Sequence, residues 1–87
     1  MISRDVVVVN SVGLHARPAT FFIQKANRYK SAIWVESGDR RVNAKSLLGV
    51  LSLGIISGTN IKITTDGEDE AEALDSLCDL ISSGCEE

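Results

Sequence analysis

The sequence predicts an α+β fold, one sheet with its helices packed on one face, and three observations predict it. Strand-like and helix-like patterns follow one another in the order β-α-β-β-α-β-α along the 87 residues. That length suits one small domain, residues 1–87, with a single core. No repeat, low-complexity segment or linker interrupts the chain. Elements in such an order bury their apolar faces against one shared sheet. Order alone leaves a ferredoxin-like split β-α-β, and with it a ligand-sensing module, as a structural rival.

Each element has a local cause. Residues 2–9 end in the apolar run Val6 to Val9 and read as a strand that stops at the Asn10 to Gly13 turn. From Ala16 the apolar residues Ala16, Ala19, Ile23 and Ala26 recur at helical spacing, giving a helix over 16–28. Pro18 belongs in the first turn of that helix, because its missing N–H has no intrahelical partner there. His15 therefore falls at or just before the N-cap.

Ser31 to Glu36 is a second strand, Ser37-Gly38-Asp39 a tight turn, and Arg40 to Ala44 the returning third strand. Ser46 to Leu53 reads as a short helix with Ser46 as N-cap and Gly54 just past its end. On a helical wheel Leu47, Leu48 and Leu51 share one arc, while Val50 and Leu53 fall on another. A short helix on a sheet buries one of these stripes and leaves the other as an apolar contact patch. Asn60 to Thr65 alternates as a fourth strand, and Asp66-Gly67 turns into a last helix. Glu68, Asp69 and Glu70 complement the dipole of that helix, and Ala71, Leu74, Leu77, Cys78 and Ile81 are its expected core face.

Composition narrows the function classes. The segment ahead of the valine run lacks the apolar core of a signal peptide, and nothing approaches a membrane span, so a cytoplasmic protein is expected. Cys78 reads as a core residue. Cys85, about two turns further along the same helix, is too distant for a disulfide with it. Neither cysteine has partners at zinc spacing, so no metal is expected. The net charge of −3 divides unevenly: all nine Lys and Arg precede Asp66, and nine of the twelve acids follow from Asp66 onward. This argues against nucleic-acid binding, which relies on phosphate neutralisation, and suits an N-terminal half that docks on acidic protein surfaces.

The chemistry concentrates in Gly13-Leu14-His15-Ala16-Arg17-Pro18-Ala19-Thr20. A helix N-terminus offers free amides, here chiefly those of Ala16 and Arg17, and the positive end of the dipole, which together form an anion site. Imidazole is nucleophilic near neutral pH and forms covalent intermediates, and Arg17 supplies a countercharge. An ordinary N-terminal or loop histidine is the commoner explanation of an isolated His-x-Arg-Pro, so the motif alone is a weak signal. The second informative stretch is Lys45 to Leu53. Ser46 is explained by capping alone, yet phosphorylation there adds negative charge beside the leucine patch.

Together, Gly13 to Thr20 and Asn43-Ala44-Lys45-Ser46-Leu47-Leu48-Gly49-Val50-Leu51-Ser52-Leu53-Gly54 resemble the histidine-containing phosphocarrier (HPr) family of the bacterial phosphoenolpyruvate-dependent sugar phosphotransferase system. The resemblance covers essentially the whole chain. It implies an open-faced β-sandwich, a four-stranded antiparallel sheet with three helices on one face. It also implies a phosphocarrier with no turnover of its own and no cofactor. His15 would accept phosphate at Nδ1 from enzyme I and pass it to IIA proteins or domains, with Arg17 and the Ala16 amide stabilising it. Ser46 matches the serine phosphorylated by HPr kinase/phosphorylase, whose product serves as corepressor for a catabolite-control repressor. The partner surface implied is Thr20, Phe21, Gln24, Asn27, Leu47, Leu48 and Leu51, on a monomer that binds neither nucleic acid nor membrane.

Some relatives carry methionine where this chain has leucine on the short helix, and basic residues at Gln24 and Asn27, for which Lys25 and Arg28 are substitutes. Phe22 is expected to pack inward and Phe21 to join the contact surface. The alternative function is a dedicated regulatory module acting through Ser46.

Overall fold

The computed structural model describes residues 1–10 and 13–84. Seven elements follow the expected order: β1 (Ile2–Val7), α1 (Ala16–Ala26), β2 (Ala32–Ser37), β3 (Arg40–Asn43), α2 (Leu47–Ser52), β4 (Asn60–Asp66) and α3 (Glu70–Ser82). The four strands form one antiparallel sheet in the order β1-β4-β2-β3. A ferredoxin-like sheet places its first and third strands in the centre. Here they are the two edges, which excludes that rival.

Alternation sets the two faces of the sheet. Ile33 and Val35 of β2, with Ile61, Ile63 and Thr65 of β4, are buried beneath the helices, beside Ala19, Phe22 and Ala26 of α1 and Val50 of α2. Phe22 thus packs inward, as expected. The valine run splits in the same way: Val8 is buried, while Val7 and Val9 are exposed. The β1 ladder ends at the pair Val7 and Asn60, short of the expected Val9, although the Val8 amide still donates to the Thr59 carbonyl at 2.9 Å. Gly38 and Asp39 close the β2–β3 hairpin between paired Ser37 and Arg40, with Gly38 at φ +62°.

In α3 the buried residues are Ala73, Leu74, Leu77, Cys78, Leu80 and Ile81. Ala71, expected in the core, is exposed. At 100° per residue the buried arc centres on Leu77 and Ile81; Ala71 lies about 100° from that centre, just past the rim occupied by Cys78. Ala73 and Leu80 fill the opposite side of the arc. Burial pushes the Cys78 thiol above its ordinary value. The disulfide question involves Cys85, which lies outside the described residues, as do Ser11 and Val12 of the first turn.

Asp69 is the N-cap of α3 but makes no side-chain cap bond. Its carboxylate reaches across to the segment before β2, accepting from the Lys30 amide at 2.8 Å, the Ser31 amide at 2.9 Å and the Ser31 hydroxyl. These donors, led by the Ser31 hydroxyl, lower its pKa to about 2. Gly67 has no room for a side chain there, since a Cβ would lie 2.7 Å from the Ser31 Cα.

Candidate functional site at the start of α1

His15 is the N-cap of α1, with extended backbone (φ −84°, ψ −172°), and its side chain makes no capping bond. The side chain is exposed. Its carbonyl accepts from the Ala19 amide at 2.8 Å, so the first helical turn is closed behind it. Ala16 and Arg17 are the first two helical residues and are also exposed. Their amides have no intrahelical carbonyl within reach, and no acidic residue occupies the first turn. An anion placed at His15 meets two outward amides and the positive end of an 11-residue helix.

The loop ahead of His15 is held by contacts that the sequence does not display. The Leu14 amide donates to the Ile55 carbonyl at 3.0 Å, the Asn10 side-chain amide donates to the Gly13 carbonyl at 2.8 Å, and Leu14 is buried. Gly13 has φ +69°, and a Cβ there would lie 2.4 Å from the Ile55 oxygen and 2.7 Å from the Ile56 Cα. Only glycine permits this approach. The segment after α2 therefore fixes the position of the histidine.

At the other end of the pair, the Asn27 side chain donates to the Lys45 carbonyl at 3.5 Å, and Lys45 Nζ donates to the Tyr29 carbonyl at 2.7 Å. The loop before α1 thus touches the segment after α2, and the residue just past α1 touches the residue just ahead of the α2 cap. The two helices run antiparallel. Ser46 lies a helix length, about 16 Å along α1, from His15. It caps α2 as expected, its Oγ accepting from the Gly49 amide at 3.1 Å.

The leucine stripes resolve as one buried and one open. Val50 is buried, whereas Leu47 is 37% and Leu48 81% exposed; Leu51 and Leu53 are half-buried against the core. Two apolar residues outside the expected surface join the exposed set near Gly13: Ile56, 64% exposed, and Val9. The signal for Ile56 was an isoleucine just past the helix-ending Gly54. Thr20 is half-buried and its hydroxyl donates to the Ala16 carbonyl at 2.7 Å. Gln24 and Asn27 are both exposed, and the Asn27 side chain donates to the Ile23 carbonyl at 2.9 Å as well as to that of Lys45. Arg17 has its guanidinium over the half-buried Phe21 ring, 5.9 Å from the centroid. Among the described residues, no group of three or more His, Cys, Asp or Glu side chains is placed to hold a metal ion.

An open-faced sandwich that presents an exposed N-cap histidine beside a leucine-bearing short helix is the architecture of a phosphocarrier domain. Residues 2–83 match the PTS-HPr family, described as "PTS HPr component phosphorylation site". The chain is 45% identical over 82 residues to the phosphocarrier protein HPr of Neisseria meningitidis, covering 94% of this chain and 92% of that one. It is 46% identical to the HPr-like protein Crh of Halalkalibacterium halodurans, over 93% of this chain and 96% of the other. A crystal structure of HPr from Thermoanaerobacter tengcongensis superposes with a TM-score of 0.94 at 45% identity, covering 100% and 99% of the two chains.

The chain belongs to the HPr family of phosphotransferase-system phosphocarriers. Crh of Bacillus subtilis, a catabolite-repression HPr, superposes with a TM-score of 0.66 at 42% identity and ties the family to that regulation. Similar solved structures include dimers, so the likeness lends no support to the expected monomer. Among the described residues, no helix is long and apolar enough to cross a membrane.

Proposed function

We propose that this chain carries a phosphoryl group on His15, received from phosphorylated enzyme I and delivered to IIA proteins or domains in the cytoplasm. The observation that carries this reading is the exposed, uncapped imidazole at the N-cap of α1. A lone pair on the ring nitrogen, Nδ1 by the family resemblance, attacks phosphorus. The bond from phosphorus to the donor breaks, and its electron pair leaves with the donor group. The proton on the second ring nitrogen takes no part in the bond change. Delivery is the reverse displacement by an acceptor nucleophile. Such transfers need positioning and charge neutralisation more than covalent machinery. The Ala16 and Arg17 amides and the Arg17 guanidinium supply them, and partner proteins supply the rest. A single arginine at an open helix end holds the anion lightly, as a carrier must.

Docking centres on Leu47, Leu48 and Leu51, with Thr20, Phe21, Gln24 and Asn27 on and just past the neighbouring helix. Phosphorylation of Ser46 by a serine kinase places charge at the far end of this surface and slows the encounter with enzyme I. The test is incubation with enzyme I and labelled phosphoenolpyruvate, then with a IIA protein. Label is expected on the wild type and none on His15→Ala; an unlabelled wild type removes the carrier reading. A purely regulatory role through Ser46 is the second reading, favoured by an identity to Crh as high as that to HPr. The N-cap histidine, which a dedicated regulator does not need, weighs for the carrier.

A further inference from the structure

We propose that Phe21 is a resting place for the Arg17 guanidinium and thereby sets how firmly His15 holds its phosphoryl group. The proposal rests on the carrier reading above and adds a positioning residue to it. Arg17 lies in the first turn of α1, where the positive end of the dipole disfavours a cation and no acidic side chain offsets it. Phe21 is four residues further along, on the same face of the helix. Over that ring the guanidinium is paired with an aromatic face rather than with an anion at His15. Among the described residues, Arg17 has no ion pair and no hydrogen-bond partner; the ring is its one specific contact. The other arginine–aromatic contact, Arg41 over Trp34 at 4.5 Å, joins neighbouring strands far from the site.

A phosphoryl group on His15 reverses the local field, since its negative charge outweighs the dipole end and draws Arg17 back. The ring contact is then lost. A contact made only in the unphosphorylated form favours that form. For an exposed cation–π pair, this weight is about two- to five-fold in an equilibrium constant. Phe21 therefore acts as a counterweight that keeps the phosphoryl group transferable.

The experiment measures the equilibrium of phosphoryl exchange between enzyme I and four carriers: wild type, Phe21→Leu, Phe21→Trp and Arg17→Ala/Phe21→Leu, with Arg17→Ala as the reference for the last. Phe21→Leu should shift the equilibrium toward the phosphocarrier by about two- to five-fold, and Phe21→Trp, the stronger cation-binding ring, should shift it the other way. Against Arg17→Ala, loss of the ring should change nothing. Proton NMR of the wild type should show ring-current shifts on the Arg17 side-chain methylenes that vanish on phosphorylation and in Phe21→Leu. Equal shifts for Leu and Trp, or an effect that persists without Arg17, would overturn the proposal and leave Phe21 as a docking contact. A wild type that takes no label at all overturns the carrier reading itself, even with the ring-current shifts intact.

Discussion

At the start of α1 the backbone of His15 has φ −84° and ψ −172°; at the start of α2 that of Ser46 has φ −105° and ψ 115°. Both are extended N-caps, and there the likeness stops. The Ser46 hydroxyl is spent on the Gly49 amide, and Gly49 leaves just enough room for it, since a Cβ would come within 3.2 Å of that oxygen. The His15 ring caps nothing and faces solvent. One helix start is closed by its own residue, while the other is left open for an outside anion. The open one cannot rely on its side chain for position, so Gly13 and Leu14 borrow rigidity from the Ile55–Ile56 backbone.

The largest effect should come from breaking that borrowed support. Gly13→Ala puts a side chain at φ +69° against the Ile55 carbonyl, and is expected to cost about 2–3 kcal/mol in urea unfolding together with slower phosphorylation of His15. Unfolding midpoints equal to wild type would show that the clamp is not needed. Ser46→Asp keeps a good N-cap, so stability should hold while the rate of phosphorylation by enzyme I falls by about tenfold, the low end of electrostatic steering. An unchanged rate would mean that charge at the far end of α2 does not reach the encounter.

Removing the two caps in turn sharpens the contrast. Ser46→Ala should lower stability by about 1 kcal/mol, whereas His15→Ala should stay within about 0.5 kcal/mol of wild type. Equal losses in the two variants would refute the open-versus-closed distinction.

The third N-cap, Asp69, offers a pH-dependent comparison. Its folded-state pKa of about 2 lies below the ordinary 3.8. Its contribution to stability is therefore complete above the unfolded value and is lost as pH falls through the folded one. The deficit of Asp69→Asn, read from urea midpoints across a pH series, should be largest near neutrality and shrink as the pH drops from roughly 4 toward 2. A deficit independent of pH would deny the charge any role. Smallest of all, Leu48→Ala should leave folding within about 0.5 kcal/mol because the side chain is 81% exposed. The same variant should weaken binding to enzyme I, as calorimetry would read.

Local rules made most of the elements legible. Pro18 dates the start of α1, the Ser46 hydroxyl and Gly54 bracket α2, and alternation places Ile61 and Ile63 under the helices. The wheel separated Val50 from Leu47 and Leu48 correctly. Contacts between distant segments were not legible in the same way. Nothing local says that Gly13 must meet Ile55, or that α1 and α2 run antiparallel and so hold His15 and Ser46 at opposite ends. Asp69 read as a charge for its own helix dipole, yet its carboxylate serves Lys30 and Ser31. Ala71 fell outside the core because the centre of the buried arc is set by the sheet beneath α3, not by the helix alone. The pairing of Arg17 with Phe21 was available in the four-residue spacing.

One measurement reaches the open helix start directly: identifying the labelled atom after reaction with enzyme I and labelled phosphoenolpyruvate. An acid-labile, base-stable phosphate mapped to the His15 ring is expected. Label that survives acid, or that remains when His15 is replaced by alanine, would contradict it.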